Sequence, residues 1–329
     1  MRQFFQNLSN GIGEIEEIPA PNIKEGHLLI KTKYSLLSSG TERMLVNFAK
    51  SNLIDKAKQQ PDKVKEVIAK LKTDGFINTF DAVKTKLDKP IPLGYSNVGE
   101  VIAVGKGVND INIGDRVVSN GPHAELVLVP KNLCAIIPNG VSDESASFTV
   151  LGAIGLQGIR LAEPTLGETF LVSGLGVIGL LTSQLLVSQN CDVLAVDPDQ
   201  KKCSLAESFG IKTLCLNSKS DPNSWCLAQT NGKGVDGVLI TASTSSSEPI
   251  ELAANVCRQR GRIILVGVTG CVIRRDLFYK KELTFQVSCS YGPGRYDSNY
   301  EDKGNDYPYG LVRWTEKRNF KVFGTTPIH

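Results

Sequence analysis

The sequence predicts an α/β protein in two parts: a β-rich N-terminal domain carrying a helical insertion, then a doubly wound parallel sheet. Three observations carry this. Short alternating apolar and polar segments with glycine turns fill residues 1–45 and 91–137. A lysine-rich stretch of helical periodicity, residues 46–89, interrupts them. From residue 168 apolar strands alternate with amphipathic helices, the pattern of a parallel sheet covered on both faces.

In chain order, HLLIKTKYSLLSS at 27–39 reads as strand. In the insertion, Pro61 suits a first helical turn, and Val64, Val67, Ile68 and Leu71 follow at helical spacing. A second short helix carries Phe76, Phe80 and Val83. The basic face of the insertion reads as solvated, with a lid or partner surface as the competing reading. IPLGYSNVGEVIAVGKGV, GDRVVSN and AELVLVP return to β character, with turns at Gly105-Lys106-Gly107, Gly114-Asp115 and Gly121-Pro122. SDESASFTVLGAIGLQGIRLAE (142–163) is helical, with Ser142 as N-cap ahead of Glu144. Then ETFLVS, DVLAVD, KTLCL, GVDGVLITA and GRIILVGV are strands. VIGLLTSQLLVSQN, QKKCSLAESFG and PIELAANVCRQR are the helices between them. Residues 291–310 hold five tyrosines in twenty residues, so this loop is expected to pack on another element or line a cleft.

Bulk properties exclude several classes. The chain has 329 residues and a formal net charge of +3, with lysines spread rather than striped, so no nucleic-acid partner is indicated. No apolar run approaches the ~20 residues that span a bilayer. The first residues lack the apolar core of a signal peptide, so the expected location is cytoplasmic and away from membranes. Eight cysteines, none in a CxxC pair, fit neither a zinc knuckle nor a disulfide framework.

The strongest local motif is SGLGVIGL, in which Gly174-Leu175-Gly176-Val177-Ile178-Gly179 forms G-x-G-x-x-G between a strand and a helix. Gly174 permits the tight turn, Gly176 lets backbone approach a pyrophosphate, and Gly179 lets the helix pack on the strand. The helix N-terminus adds unpaired N–H groups and a positive dipole. Asp197 ends the next strand 18 residues beyond Gly179, where a carboxylate receives the adenosine ribose hydroxyls. That favours NAD over NADP, although Lys201 and Lys202 stand nearby.

PLGYSNVGEVIAVGKGV, the GDRV at 114–117, AELVLVP, SGLGVIGL, VDPDQKK and ILVGV together resemble the medium-chain dehydrogenase/reductase superfamily. The resemblance implies a GroES-like catalytic domain over 1–148 (insertion 46–89) and a Rossmann NAD-binding domain over 149–290. It makes 291–329 a Tyr-rich, truncated return to the catalytic domain. It places nicotinamide beside Gly267 and Val268, the adenosine ribose near Lys202, and Thr241 and Ser243 near the cofactor. Zinc-dependent members carry ligands near positions that here hold Ser38 or Ser39, Tyr95-Ser96 and Thr149, none a good Zn²⁺ ligand. With only His27, His123 and His329 available, no zinc is expected.

A narrower resemblance rests on SSGTER (38–43), GPHAE (121–125), FTVLGAIGLQGIR and SCSYGPGRYDSNYEDKGNDYPYGLVRWTEKRNF. These are similar to the dehydrogenase-like half of two-module oxidoreductases of bacterial polysaccharide gene clusters. There a module like glucose–fructose oxidoreductase or inositol dehydrogenase follows in the same chain. Here the sequence ends soon after Trp314 without that module, which leaves open a truncated chain, a shortened gene product, and a separate dehydrogenase module as partner. A homo-oligomer is also open.

Hydride transfer needs a nicotinamide, a C–OH or C=O near it, and a group that moves a proton. Tyr95 is a candidate donor, or an aromatic plug in a vacated metal site. Glu42 is a candidate base, or a structural partner of Arg43. His123 is a candidate relay, since histidine titrates near neutrality, or a packing residue. Arg295 and Tyr296 follow a Rossmann strand and could hold a phosphate or carboxylate on a small-molecule substrate. The sequence thus supports a zinc-independent NAD(H)-dependent oxidoreductase of a polyol, sugar or sugar-nucleotide. A non-catalytic nucleotide-binding subunit and a quinone or enone reductase are its alternatives.

Overall fold

A computed structural model describes residues 1–51 and 88–325. Most of the predicted 46–89 insertion therefore lies outside the described residues. The chain forms two compact units, Met1–Ile137 with Ser142–Ser147, and Pro138–Val141 with Phe148–His329.

The first unit contains β1 (Arg2–Gln6), β2 (Gly13–Glu17), β3 (His27–Ser35), α1 (Thr41–Lys50), β4 (Ile91–Pro92), β5 (Asn97–Val104), β6 (Arg116–Ser119), β7 (Leu126–Pro130), β8 (Cys134–Ile136) and the short α2 (Asp143–Ala146). β1 pairs antiparallel with β2 and β4, and a five-stranded antiparallel sheet runs β7-β3-β5-β6-β8. Alternation along β3 points Leu28 and Ile30 into a core with Val101, Val117, Val127 and Val129. Each such side chain contributes about 1.5–3 kcal/mol on burial.

Two boundaries differ from the sequence expectation. The strand expected to reach 39 ends at Ser35, where Leu36 N–H bonds to the carbonyl of Ser96. Helix then starts at Thr41 rather than 46, so Ser38 and Glu42 occupy a turn and a first helical turn, not a strand. The helix expected over 142–163 is two pieces. Ser142 caps α2 by accepting from Ser145 N–H at 3.1 Å, and α3 (Thr149–Ala162) begins the second unit.

The second unit continues with β9 (Thr169–Ser173), α4 (Val177–Ser188), β10 (Asp192–Asp197), α5 (Gln200–Ser208), β11 (Lys212–Cys215), α6 (Pro222–Gln229), β12 (Val235–Ile240), α7 (Glu248–Val256), β13 (Cys257–Leu265), α8 (Arg275–Tyr279), β14 (Thr284–Val287), α9 (Ser298–Glu301) and α10 (Glu316–Thr325). Its six strands are all parallel in the order β11-β10-β9-β12-β13-β14, the doubly wound order with a switch point between β9 and β12. The helix expected to run through 260 stops at Val256, because Cys257 already pairs with Val235. Arg258 then bonds Asp236 at 2.6 Å. Burial pushes the Cys226 and Cys257 thiols up to about 12, as expected for inert core cysteines.

The Tyr-rich segment clusters with this second unit rather than with the first. Tyr291 and Tyr300 are buried; Tyr300 stacks on Tyr307 at 5.3 Å and Tyr291 meets Phe320 at 5.0 Å. α10 lies on α3 so closely that a Cβ on Gly152 would meet the Phe323 ring at 1.9 Å. Among the described residues, no helix is long and apolar enough to cross a membrane.

Candidate active site

In the first unit, three elements bring together residues far apart in sequence. Glu42 stands in the first turn of α1, buried to 8 % exposure. Its Oε1 accepts from the backbone N–H of Ser38 at 2.8 Å, and its Oε2 lies 3.0 Å from His123 Nε2. The other imidazole nitrogen, Nδ1, is 2.8 Å from the hydroxyl of Ser35 at the end of β3. Tyr95 donates its phenolic hydrogen to Ser38 Oγ at 2.7 Å.

Backbone geometry locks this arrangement. His123 N–H bonds to the carbonyl of Leu93, and its carbonyl accepts from Phe4 N–H. Gly94 has φ +93, and a Cβ there would sit 2.6 Å from His123 N and 2.7 Å from its ring. A glycine is needed both for the left-handed turn and for the space the imidazole fills.

The tautomer follows from the partners. A carboxylate has no hydrogen to give, so the nitrogen facing Glu42 carries one, and Nδ1 is left to accept from Ser35. The arrangement can therefore take a proton at Nδ1 and hold the resulting charge against a buried carboxylate.

In the second unit, Gly174, with φ +104, turns the chain after β9; its Cβ would be 2.7 Å from Ala242 N. A Cβ on Gly179 would be 1.9 Å from the Gly174 carbonyl oxygen, whereas one on Gly176 would meet nothing within 4 Å. The middle glycine thus faces open space at the start of α4, with Val177 and Ile178 in its first turn and no side-chain cap over that end. This turn fits a pyrophosphate. Thr241 donates to the carbonyl of Gly174 at 2.6 Å, and Ser243 bridges to Val268 beside Gly267, so these predicted contacts gather at the ends of β12 and β13. Val268 is 59 % exposed.

Asp197 is less available than the sequence suggested. Its Oδ2 accepts from Leu175 N–H at 2.7 Å, its Oδ1 from Asp199 N–H at 2.8 Å, and it is 4 % exposed. Lys202 Nζ stands 3.7 Å from Oδ1. Arg295, expected to hold a substrate anion, is engaged with Glu301 at 2.6 Å and lies 4.3 Å over the Tyr296 ring. Tyr296 itself is exposed.

Two family models match, the alcohol dehydrogenase GroES-like domain over residues 65–172 and the zinc-binding dehydrogenase domain over 177–302. The chain belongs to the medium-chain dehydrogenase/reductase superfamily. It is an NAD(P)-dependent oxidoreductase. This dehydrogenase is 26% identical to D-xylulose reductase of Scheffersomyces stipitis over 71% of its own length and 78% of that protein. It is 27% identical to D-guloside 3-dehydrogenase of Escherichia coli over 69% of its own length, spanning 63% of that protein. Galactitol-1-phosphate dehydrogenase from Escherichia coli shares the fold, with a TM-score of 0.70, 20% identity, and coverage of 99% of this chain and 90% of that one.

The expectations of no zinc and of NAD over NADP do not stand. Residues 177–302 match the zinc-binding dehydrogenase family. Positions 38, 39, 95, 96 and 149 hold no good zinc ligand, but folding sets His123 and Glu42, an imidazole and a carboxylate, side by side next to Ser38 and Tyr95. Both are groups that zinc takes. Among the described residues, no cluster of three or more His, Cys, Asp or Glu side chains could hold a metal ion. The described residues do not make up a three-ligand zinc site. The NAD preference rested on a ribose-facing Asp197. With both its oxygens engaged by amides and a lysine beside it, either dinucleotide is compatible.

Ser35 was missed by sequence reasoning. The local signal, a serine ending an alternating strand, is common; only the fold sets it against His123.

Proposed function

We propose that this dehydrogenase interconverts a hydroxyl and a ketone on a polyol, sugar or sugar-nucleotide. The observation that carries this reading is the Glu42–His123 pair, flanked by the hydroxyls of Ser35, Ser38 and Tyr95. The polyol and sugar dehydrogenases among the relatives support the substrate class. In this reading 1–148 is the catalytic domain and 149–290 the dinucleotide domain. In the same reading the reaction belongs to surface polysaccharide synthesis, beside a separate dehydrogenase module, supported by the narrower family resemblance of SSGTER and GPHAE.

The residues divide the work. Gly174–Gly179 and the start of α4 hold the pyrophosphate, and Thr241, Ser243, Gly267 and Val268 border the nicotinamide, which when bound accepts or gives the hydride. His123 receives the hydroxyl proton as the carbonyl forms, and Glu42 holds the imidazolium. Tyr95, whose hydrogen is already directed to Ser38, orients the turn that carries Glu42. Tyr95→Phe is accordingly expected to cost about 1 kcal/mol of stability and less than about tenfold in turnover, read by thermal melting and initial rates.

The test is absorbance of reduced nicotinamide with NAD⁺ and NADP⁺ against a panel of pentitols, hexitols, hexosides and nucleotide sugars. Turnover of one of these supports the reading. Dinucleotide binding with no turnover of any would overturn it in favour of a non-catalytic subunit, and turnover of enones or quinones alone would favour a reductase.

A further inference from the structure

We propose that the guanidiniums of Arg160 and Arg313, with the indole of Trp314 between them, form a separate binding site within the second unit that takes the phosphate group of a small molecule. The site is independent of the oxidoreductase reading above. Arg160 stands in the last turn of α3, and Arg313 and Trp314 lie between α9 and α10. The Arg160 Cζ is 3.4 Å from the centre of the Trp314 ring, and the Arg313 Cζ is 3.7 Å from it. Two groups that close to one ring centre cannot share a face, so the indole is sandwiched. Stacking uses the flat face of a guanidinium and leaves its N–H edge free, the edge that pairs with phosphate oxygens.

The fold answers neither charge. In the same unit Arg258, Arg262, Arg295 and Arg318 each meet a carboxylate, those of Asp236, Glu168, Glu301 and Asp306. Among the described residues, no carboxylate meets Arg160 or Arg313, and the Arg160 Nε is buried without a hydrogen-bond partner. Burial, and then the neighbouring Arg313 charge, push the Arg160 pKa down to about 10. The C-terminal end of α3 favours a cation, which accounts for Arg160 but not for a second one beside it. The backbone that carries the pair is tied on both sides. Arg318 donates to the Val312 carbonyl at 2.6 Å, and Glu316 N–H donates to the Pro293 carbonyl at 3.0 Å. Arg313 is exposed, so a ligand reaches the pair from solvent. A phosphate group has three acceptor oxygens and can face two forks at once, whereas a carboxylate has two oxygens and suits one fork.

Calorimetric titration of inorganic pyrophosphate and of inorganic phosphate into the whole chain tests this. Ionic strength is held constant, and saturating NAD⁺ occupies the Gly174–Gly179 turn. The wild-type chain is expected to bind pyrophosphate saturably. Arg313→Gln is expected to weaken that binding roughly 10- to 100-fold and to leave the ligand-free melting midpoint unchanged. Arg313→Lys, which keeps the charge but loses the fork, is expected to fall between the two. Binding of both anions supports a monophosphate ligand, and binding of pyrophosphate alone a diphosphate. No saturable binding to the wild-type chain would overturn the proposal. So would wild-type affinity in Arg313→Gln, which would put the anion at the dinucleotide turn. A lowered ligand-free midpoint in Arg313→Gln would mark a packing role and overturn it as well. Binding of a hexaglutamate peptide in preference to pyrophosphate would give the pair to an acidic protein segment instead.

Discussion

Glu42→Gln is expected to lower kcat by roughly 10²–10⁴-fold while leaving the fold and dinucleotide binding intact, by analogy with amide replacement of the acid in a serine–histidine–acid arrangement. The reason is a tautomer. Glutamine can still accept from Ser38 N–H through its carbonyl, replacing the 2.8 Å bond made by Oε1. Its NH₂ then faces His123 Nε2, where the carboxylate oxygen now lies at 3.0 Å. That nitrogen must become the acceptor, so the ring hydrogen moves to Nδ1. Nδ1 then donates to Ser35 and can no longer take a proton. The positive charge formed during turnover also loses its buried counter-charge. Stopped-flow rates of nicotinamide reduction check this, with NADH and NADPH fluorescence titrations as the control. A Glu42→Gln chain with wild-type turnover would show that Glu42 only anchors Ser38.

Glu316→Gln is expected to stabilise the chain at pH 8 and not at pH 4.5. Glu316 begins α10 with 0 % exposure, and neither carboxylate oxygen has a hydrogen-bond partner. Burial, aided by the neighbouring Glu301 carboxylate and only partly offset by Arg295, raises its pKa from 4.5 to about 8. Below 4.5 the group is protonated in both folded and unfolded chains and contributes nothing. Between 4.5 and about 8 the unfolded chain releases the proton and the folded chain keeps it, so stability falls as pH rises. Above about 8 the loss is complete, on the order of 3–5 kcal/mol. Glutamine does not titrate, so the difference in unfolding midpoint between variant and wild type should open across that window. Carboxylates with lowered pKa, such as Asp297 bonded by Tyr307, affect both chains equally and cancel. Equal midpoint differences at pH 5 and pH 8 would mean that Glu316 is not a buried, neutral acid.

Much of the fold was legible because it is written in local patterns. The alternation of apolar strands and helices after residue 168 predicts a parallel sheet, and the six strands form one in doubly wound order. The spacing of Gly174, Gly176 and Gly179 predicts a phosphate turn, and the space around each glycine matches its assigned part: two positions close against backbone and the middle one open. Ser142 caps a helix as its position ahead of Glu144 suggests.

The active-site reading was less legible, for physical reasons that particular residues show. Glu42 and His123 were each singled out, but as separate candidates, because 81 residues separate them and only the packing of α1 against the turn after Gly121 joins them. Ser35 carried no signal at all until Nδ1 was found facing it. The expectation of no zinc likewise weighed positions 38, 39, 95, 96 and 149 one by one, whereas only the fold sets the His123 imidazole beside the Glu42 carboxylate. Asp197 sits where its spacing suggested, yet its oxygens turn inward to the amides of Leu175 and Asp199.

What the sequence by itself determined is the order of elements and the dinucleotide turn, because hydrogen bonds between neighbours and side-chain periodicity act within a few residues. What only the tertiary structure decided is which nitrogen of His123 is free to take a proton, which hydroxyl meets it, and which acid is buried without a partner. Those depend on distances between elements remote in the chain, where one ångström separates a hydrogen bond from none.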